Sequence, residues 1–180
     1  MKFEETNLKG AYIIEIEKNE DYRGFFARTF DKNSFLKLNL EIELFQSNVS
    51  FNKKAGTLRG MHYQKHPHEE VKIVRCTKGK IYDVIIDLRT DSNSYKKWFG
   101  IELTYENHKM MYVPKGFAHG FLTLSSKTEI SYKTSDFYYP ELERSISWED
   151  KSLKIKLPVK KTDLIISDKD KKALTVEEVI

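Results

Sequence analysis

The chain has 180 residues, 39% hydrophobic and 32% charged, with a formal net charge of +4. That is enough for one domain with a core of its own, here expected over residues 1–180, and it excludes a disordered chain. No apolar run is long enough to cross a bilayer, Met1-Lys2-Phe3-Glu4-Glu5 lacks the apolar centre of a signal peptide, and the one cysteine, Cys76, allows no intrachain disulfide. Together these point to a reducing, cytoplasmic setting. Acidic residues and lysines are interspersed, and the densest basic stretch, Lys151 to Lys161, is broken by Leu153, Ile155 and Leu157. A nucleic-acid binder would carry a stronger basic stripe, whereas a slight positive excess suits an anionic small molecule.

Short runs of alternating apolar residues dominate. In chain order the expected strands are Tyr12–Glu17, Gly24–Phe30, Gln46–Phe51, Thr57–Gln64, Val71–Thr77, Lys80–Leu88, Lys97–Leu103, Lys109–Val113, Ala118–Leu124 and Thr128–Thr134. β-branched and aromatic residues fill them, and Gly, Asn, Asp and Lys separate them. Lys78-Gly79-Lys80 and Glu106-Asn107 read as hairpin turns. Helix is scarce: Asp31 is placed to cap a short helix through Leu38, and Asp168 another near Lys169–Leu174. Many short strands without a βαβ rhythm give an all-β sandwich or barrel. The last forty residues are less strand-like and are expected to wrap the β core.

Two strand runs end in histidine beside glycine and aromatic residues: Thr57-Leu58-Arg59-Gly60-Met61-His62-Tyr63-Gln64 and Pro114-Lys115-Gly116-Phe117-Ala118-His119-Gly120-Phe121. Imidazoles on rigid strands suit proton transfer or metal binding. The frame resembles the cupins, a jelly-roll superfamily. Gly60, His66, His68 and Gly79 follow the metal-binding cupin pattern, but Lys72 stands at its glutamate position, and Thr123 replaces the asparagine after Pro114, Gly116 and His119. An ammonium has no lone pair for a metal. His66 and His68 then read as residues of a polar loop; a metal held by some combination of His62, His66, His68 and His119 stays an alternative.

The assembled motifs resemble the dTDP-4-dehydrorhamnose 3,5-epimerase family. The matching stretches are Asp21-Tyr22-Arg23-Gly24-Phe25-Phe26, Gln46-Ser47-Asn48-Val49-Ser50, Leu58 to Gln64, Lys72-Ile73-Val74-Arg75, Asp83 to Arg89, Val113 to Phe121, Tyr132-Lys133-Thr134 and Ser167-Asp168-Lys169-Asp170. Each alone is weak; in one order over nearly the whole chain they are strong. The resemblance implies a cupin-like jelly-roll sandwich with a few short helices, mostly near the C-terminus. It implies an isomerase that needs no cofactor and no metal. Its substrate would be a nucleoside-diphosphate 4-keto-6-deoxysugar, by default dTDP-4-dehydro-6-deoxyglucose, inverted at C3, C5 or both through an enolate.

By the same resemblance His62 is the base and Asp170 fixes its tautomer. Lys72 stabilises the enolate and Tyr132 is the acid on the opposite face. Tyr138 stacks on the nucleobase, and Arg23 and Arg59 grip the diphosphate. Gln46, Asn48, His119, Glu143 and Lys169 contact substrate. Phe26 supplies the other half of a base sandwich, from a partner chain in a homodimer formed through N-terminal strands. The chain departs from the pattern at Arg28, Ser47, Glu70 and Leu157, where the family carries glutamate, aspartate, glutamine and tryptophan. Glu70 lies two residues from Lys72, where a salt bridge would weaken the lysine's pull. These departures keep open a different nucleotide-linked 4-keto sugar or a heptose. A metal-dependent cupin enzyme and a silent sugar-binding cupin remain rivals from other classes.

Overall fold

The computed structural model describes residues 1–41 and 43–179. The chain opens with β1 (Lys2–Glu5) and β2 (Tyr12–Glu15), then a separate hairpin of β3 (Lys18–Asp21) and β4 (Gly24–Ala27), then α1 (Lys32–Leu36). The body follows: β5 (Gln46–Asn52), β6 (Thr57–Gln64), β7 (Lys72–Lys78), β8 (Lys80–Asp87), β9 (Trp98–Thr104), β10 (Met110–Val113), β11 (Phe117–Thr123) and β12 (Thr128–Thr134). The C-terminal part adds β13 (Glu143–Ser145), a 3-10 turn at Lys161–Asp163, β14 (Ile165–Ile166), α2 (Asp168–Lys171) and α3 (Val176–Val179).

The first sheet runs β1-β2-β10-β7-β12-β5 and the second β13-β6-β11-β8-β9. β14 lies parallel to the start of β6, pairing Ile165 with Thr57 and Ile166 with Leu58. From β5 to β8, and again from β9 to β13, successive strands fall in opposite sheets. That alternation makes a cupin-like jelly-roll sandwich, as expected. Among the described residues no helix is long and apolar enough to cross a membrane.

The alternation also corrects the reading of two turns. Lys78-Gly79-Lys80 and Glu106-Asn107 close no hairpins: β7 and β8 belong to different sheets, as do β9 and β10. Gly79 has φ +75°, and a Cβ there would come within 2.5 Å of Ser125 Oγ. Asn107 Oδ1 accepts from the backbone amides of Thr104 and Lys109. Turn chemistry reports a sharp bend; it does not report whether the flanking strands pair.

Three apolar clusters hold the layers. Val74, Ile85, Leu103, Met111, Phe117 and Ile130 pack between the sheets. Leu58, Val84, Ile86, Ala118 and Leu122 on the outer face of the second sheet are covered by Ile146, Leu153, Val176 and Val179 from the last forty residues. β8 and β11 are therefore buried on both faces, which is why they read as nearly unbroken apolar runs. α1 covers the first sheet by laying Phe35 on Ile14, Ile73, Met110 and Tyr112; burying such a ring contributes roughly 2–3 kcal/mol. Asp31 caps this helix as expected, its Oδ1 accepting the Ser34 amide at 2.9 Å.

The second cap was expected one residue too late. Ser167, not Asp168, caps α2, its hydroxyl accepting the Asp170 amide at 3.1 Å. Both residue types cap well, and the choice turns Asp170 toward β6. β1, β3, β13 and β14 also lie outside the expected strands. All four β3 residues, Lys18-Asn19-Glu20-Asp21, are exposed, so no apolar period marks them. β4 stops at Ala27 rather than running to Phe30.

Candidate active site

One end of the space between the sheets is polar. A cavity of about 480 Å³ is lined by Gln46, Asn48, His62, Tyr63, Gln64, Glu70, Lys72, Tyr132, Thr134, Tyr138 and Glu143. A deeper recess of about 170 Å³ shares His62, Lys72 and Tyr132 and adds Ser50, Arg59, His119, Gly120, Phe121 and Ile130. Strand period places these side chains. Gln46, Asn48 and Ser50 alternate along one face of β5, and the ladder sets Tyr132 opposite Asn48 and Thr134 opposite Gln46. On β7, Lys72 pairs with Thr134. These residues make one wall; β6, β11 and β13 of the other sheet make the facing wall. His62 and His119 are direct ladder partners there.

β6 and β11 approach unusually closely. Gly60 has φ +115°, and a Cβ on it would come within 2.6 Å of the Gly120 Cα. Glycine at both positions brings the two histidine-bearing strands together.

His62 Nε2 lies 2.6 Å from Asp170 Oδ1. Its Nδ1 is 4.0 Å from Glu143 Oε1 on β13. Burial pushes the Asp170 carboxyl up, but the hydrogen bond and charge of His62, then Ser167 and the Gly60 amide, bring it below its ordinary value. The carboxylate therefore stays ionised and is placed to accept a proton carried on Nε2, the tautomer that leaves the Nδ1 lone pair free. The sign of the pH effect follows. A carboxyl whose folded value is depressed contributes stability that is fully present above about pH 4 and is lost as pH falls through the folded value. Asp170→Asn is expected to lower the melting temperature near neutrality and to flatten its fall below about pH 4. An acid limb identical to the parent's in a melting series would contradict this.

On the facing wall Lys72 Nζ is ion-paired with Glu70 Oε1 at 3.1 Å, both side chains nearly buried. The pairing of Glu70 with Lys72 weighed from their spacing is present. Burial, followed by the negative charge of Glu70, raises the Tyr132 hydroxyl above the ordinary phenol value, and Arg59 offsets part of this. Tyr132 is thus protonated at neutral pH. Tyr138 donates to Glu143 Oε2 at 2.7 Å, which, with burial, pushes its hydroxyl up to about 12. Lys169 pairs with the same oxygen. Burial works against the charge of Glu143, but the bonds from Lys169 and Tyr138 hold its carboxyl below the ordinary value. Its charge is thereby fixed beside His62.

His119 is held by Asp83, Nε2 to Oδ1 at 2.8 Å. Arg59 Nε donates to Asn52 at 2.8 Å, leaving the end of the guanidinium toward the recess. Arg23 and Phe26 stand apart. Both are on the exposed β3–β4 hairpin, Arg23 is ion-paired with Asp21 at 2.6 Å, and neither lines the cavity of this chain.

Sequence reading missed Gln64, Tyr63 and Thr134. Gln64 is 3% exposed. It accepts the Tyr139 amide at 2.7 Å and donates to the carbonyls of Phe137 and His68, so it holds the aromatic segment at the cavity mouth. The signal was available: Gln64 follows His62 by two on one strand and shares its face.

His66 is exposed and pairs with Glu69, while His68 pairs with Asp136 and stacks on Tyr139 at 3.8 Å. Among the described residues no three His, Cys, Asp or Glu side chains gather where a metal could be held. A second cavity of about 450 Å³ lies by Asn7, Lys9, Arg89 and Ser92. Its charge is already spent: burial would raise the Asp87 carboxyl, but Arg89, Ser92 and Ser94 bond it and bring it down to about 2.

A family model described as dTDP-4-dehydrorhamnose 3,5-epimerase matches residues 5–178. Over 171 residues the chain is 42% identical to the dTDP-4-dehydrorhamnose 3,5-epimerase of Methanothermobacter thermautotrophicus, covering 94% of this chain and 91% of that one. The crystal structure of dTDP-4-dehydrorhamnose 3,5-epimerase from Elizabethkingia anophelis superposes with a TM-score of 0.96 at 40% identity, covering 99% and 98% of the two chains. The dTDP-6-deoxy-D-glucose-3,5-epimerase of Legionella pneumophila, in complex with dTDP-4-keto-L-rhamnose, superposes with a TM-score of 0.92 at 34% identity, covering 99% and 94%.

Proposed function

The chain belongs to the dTDP-4-dehydrorhamnose 3,5-epimerase family and is a carbohydrate epimerase; from that premise we propose that it inverts C3, C5 or both of a nucleoside-diphosphate 4-keto-6-deoxysugar, with dTDP-4-dehydro-6-deoxyglucose as the default substrate. The observation that carries the assignment of roles is the division of chemistry between walls. His62, backed by Asp170 at 2.6 Å, comes from one sheet, and Tyr132 and Lys72 come from the other, around one cavity.

A ketone at C4 acidifies the protons on C3 and C5. His62 Nδ1 takes one of them while Nε2–H stays on Asp170, so the imidazolium forms beside two carboxylates. The electron pair moves onto the C4 oxygen, where Lys72 meets it. At about 4 Å in an effective dielectric near 20 such a pair is worth about 4 kcal/mol, less whatever Glu70 withdraws. Tyr132 then delivers a proton from the opposite wall and the carbon inverts. Imidazolium and phenolate remain, and both reset by exchange with solvent through the open cavity. Gln46, Asn48, His119, Glu143 and Lys169 orient the sugar, Arg59 meets the diphosphate, and Tyr138 stacks on the base.

The test is incorporation of solvent deuterium at C3 and C5, followed by NMR, across a panel of nucleotide 4-keto sugars that includes a heptose. Exchange is expected with the dTDP sugar and without added metal. No exchange with any of the panel would remove the reading; faster exchange with another nucleotide or a heptose would replace its substrate.

The roles of Arg23 and Phe26 require a second copy of the chain. Tyr22, Phe25 and Phe26 are exposed on the β3–β4 hairpin, and Val49 and Phe51 on the edge strand β5. Burying them against a partner would bring the hairpin's guanidinium and ring to the neighbouring cavity. Sedimentation is expected to give the mass of two chains, and Arg23→Ala to raise KM more than it lowers kcat. A fully active monomer would overturn this. A cytoplasmic location fits the single, buried, unpaired Cys76.

A further inference from the structure

Glu70 lies just ahead of β7, lines the cavity, and its side chain is 12% exposed. One of its oxygens, Oε1, is 3.1 Å from Lys72 Nζ. The other makes no hydrogen bond among the described residues, yet it is not among the buried atoms left without a partner; it opens on the cavity. A carboxylate placed beside a developing enolate opposes it, and a nearly buried carboxylate with a free oxygen is costly. A substrate group that donates to that oxygen would offset both. Resting on the function given above, we infer that Glu70 is a specificity-determining residue that accepts a hydrogen bond from the C3 hydroxyl of the sugar while Lys72 holds the C4 oxygen.

The geometry fits a hydroxy-ketone. Oxygens on adjacent sugar carbons are spaced by about the length of a hydrogen bond, and the Lys72 ammonium and the Glu70 carboxylate stand at a similar separation, 3.1 Å from Nζ to Oε1. The ammonium can only donate and the carboxylate can only accept. The ion pair therefore reads polarity: the oxygen at C4 must accept and its neighbour must donate. C3 carries a hydroxyl, whereas C5 carries the methyl-bearing side, so the pair also sets which way round the ring sits. Glu70 lines the same cavity as Tyr132 and directly precedes β7, the ladder partner of the strand that carries it.

The test is calorimetric binding of dTDP-6-deoxyglucose and its 3-deoxy-3-fluoro analogue, in which fluorine cannot donate. The parent protein is expected to favour the hydroxyl by about tenfold or more. In E70Q the carboxamide oxygen faces Lys72 and its N–H faces the sugar, so the preference should shrink to within about threefold. An unchanged ratio in E70Q overturns the inference. E70D, which keeps the charge but draws it back by one methylene, should also lose preference; a full preference in E70D would show that charge alone acts and would equally overturn it. Melting curves establish that each variant is folded. Parent protein that exchanges ketosugars but shows no preference removes only this inference, whereas parent protein that exchanges none removes the function beneath it.

Discussion

His62→Asn should reduce deuterium incorporation at every carbon by about 10²–10⁴-fold, the usual range for a positioned general base. The shorter asparagine amide lies where Nδ1 and Cδ2 stood and does not reach the place of Nε2, so Asp170 loses this partner; its bonds from Ser167 and the Gly60 amide remain, and the fold should survive with a lower melting temperature. The variant has nothing to replace the Nδ1 lone pair. Because removal of the proton precedes both inversion and exchange, the two should fall together. KM should change little, since the imidazole, 27% exposed at the cavity wall, is assigned to the reacting carbon and not to the nucleotide. A variant that exchanges at more than about a tenth of the parent rate would move the base elsewhere, and Glu143, 4.0 Å away, would be the first group to examine.

Tyr132→Phe should separate what His62→Asn keeps together. With the base intact, the carbon that faces His62 still loses and regains its proton, so deuterium still enters. The return comes from the side it left, and configuration is retained. Net inversion should fall by about 10²–10⁴-fold while exchange at that carbon continues. The substitution is structurally mild, because the Tyr132 hydroxyl faces the cavity and makes no hydrogen bond among the described residues. Its melting temperature should remain close to the parent's. Inversion at the parent rate in this variant would show that the opposite-face proton comes from another donor or from water.

How much of this could be read beforehand depended on what kind of signal each residue leaves. β6 and β12 were placed residue for residue, because alternation along a half-buried strand is a local property. The two sheet-crossing bends at Gly79 and Asn107 were misread as hairpins, because partner choice is set by packing of distant strands and leaves no trace in the turn itself. β3 was invisible for the opposite reason: nothing in it is buried by this chain. At the site, His62, Lys72, Tyr132, Gln46 and Asn48 line a common cavity, while the role of each comes from the resemblance. Asp170 carries no signal of its own, since a charged turn such as Asp168-Lys169-Asp170 usually faces solvent; only the fold shows it buried against His62. Gln64 was legible and overlooked. Arg23 and Phe26 belong to a surface that one chain leaves open.

The bond between His62 and Asp170 joins residues 108 positions apart, and that separation has a consequence for biosynthesis. During synthesis the imidazole emerges 108 residues ahead of its carboxylate. In between, the emerging polypeptide can close both β layers around a nascent pocket that is not yet armed. The helical turn bearing Asp170 follows directly on β14, which lies alongside β6. A chain released short of Asp170 would carry β1 to β13 and leave His62 without that carboxylate.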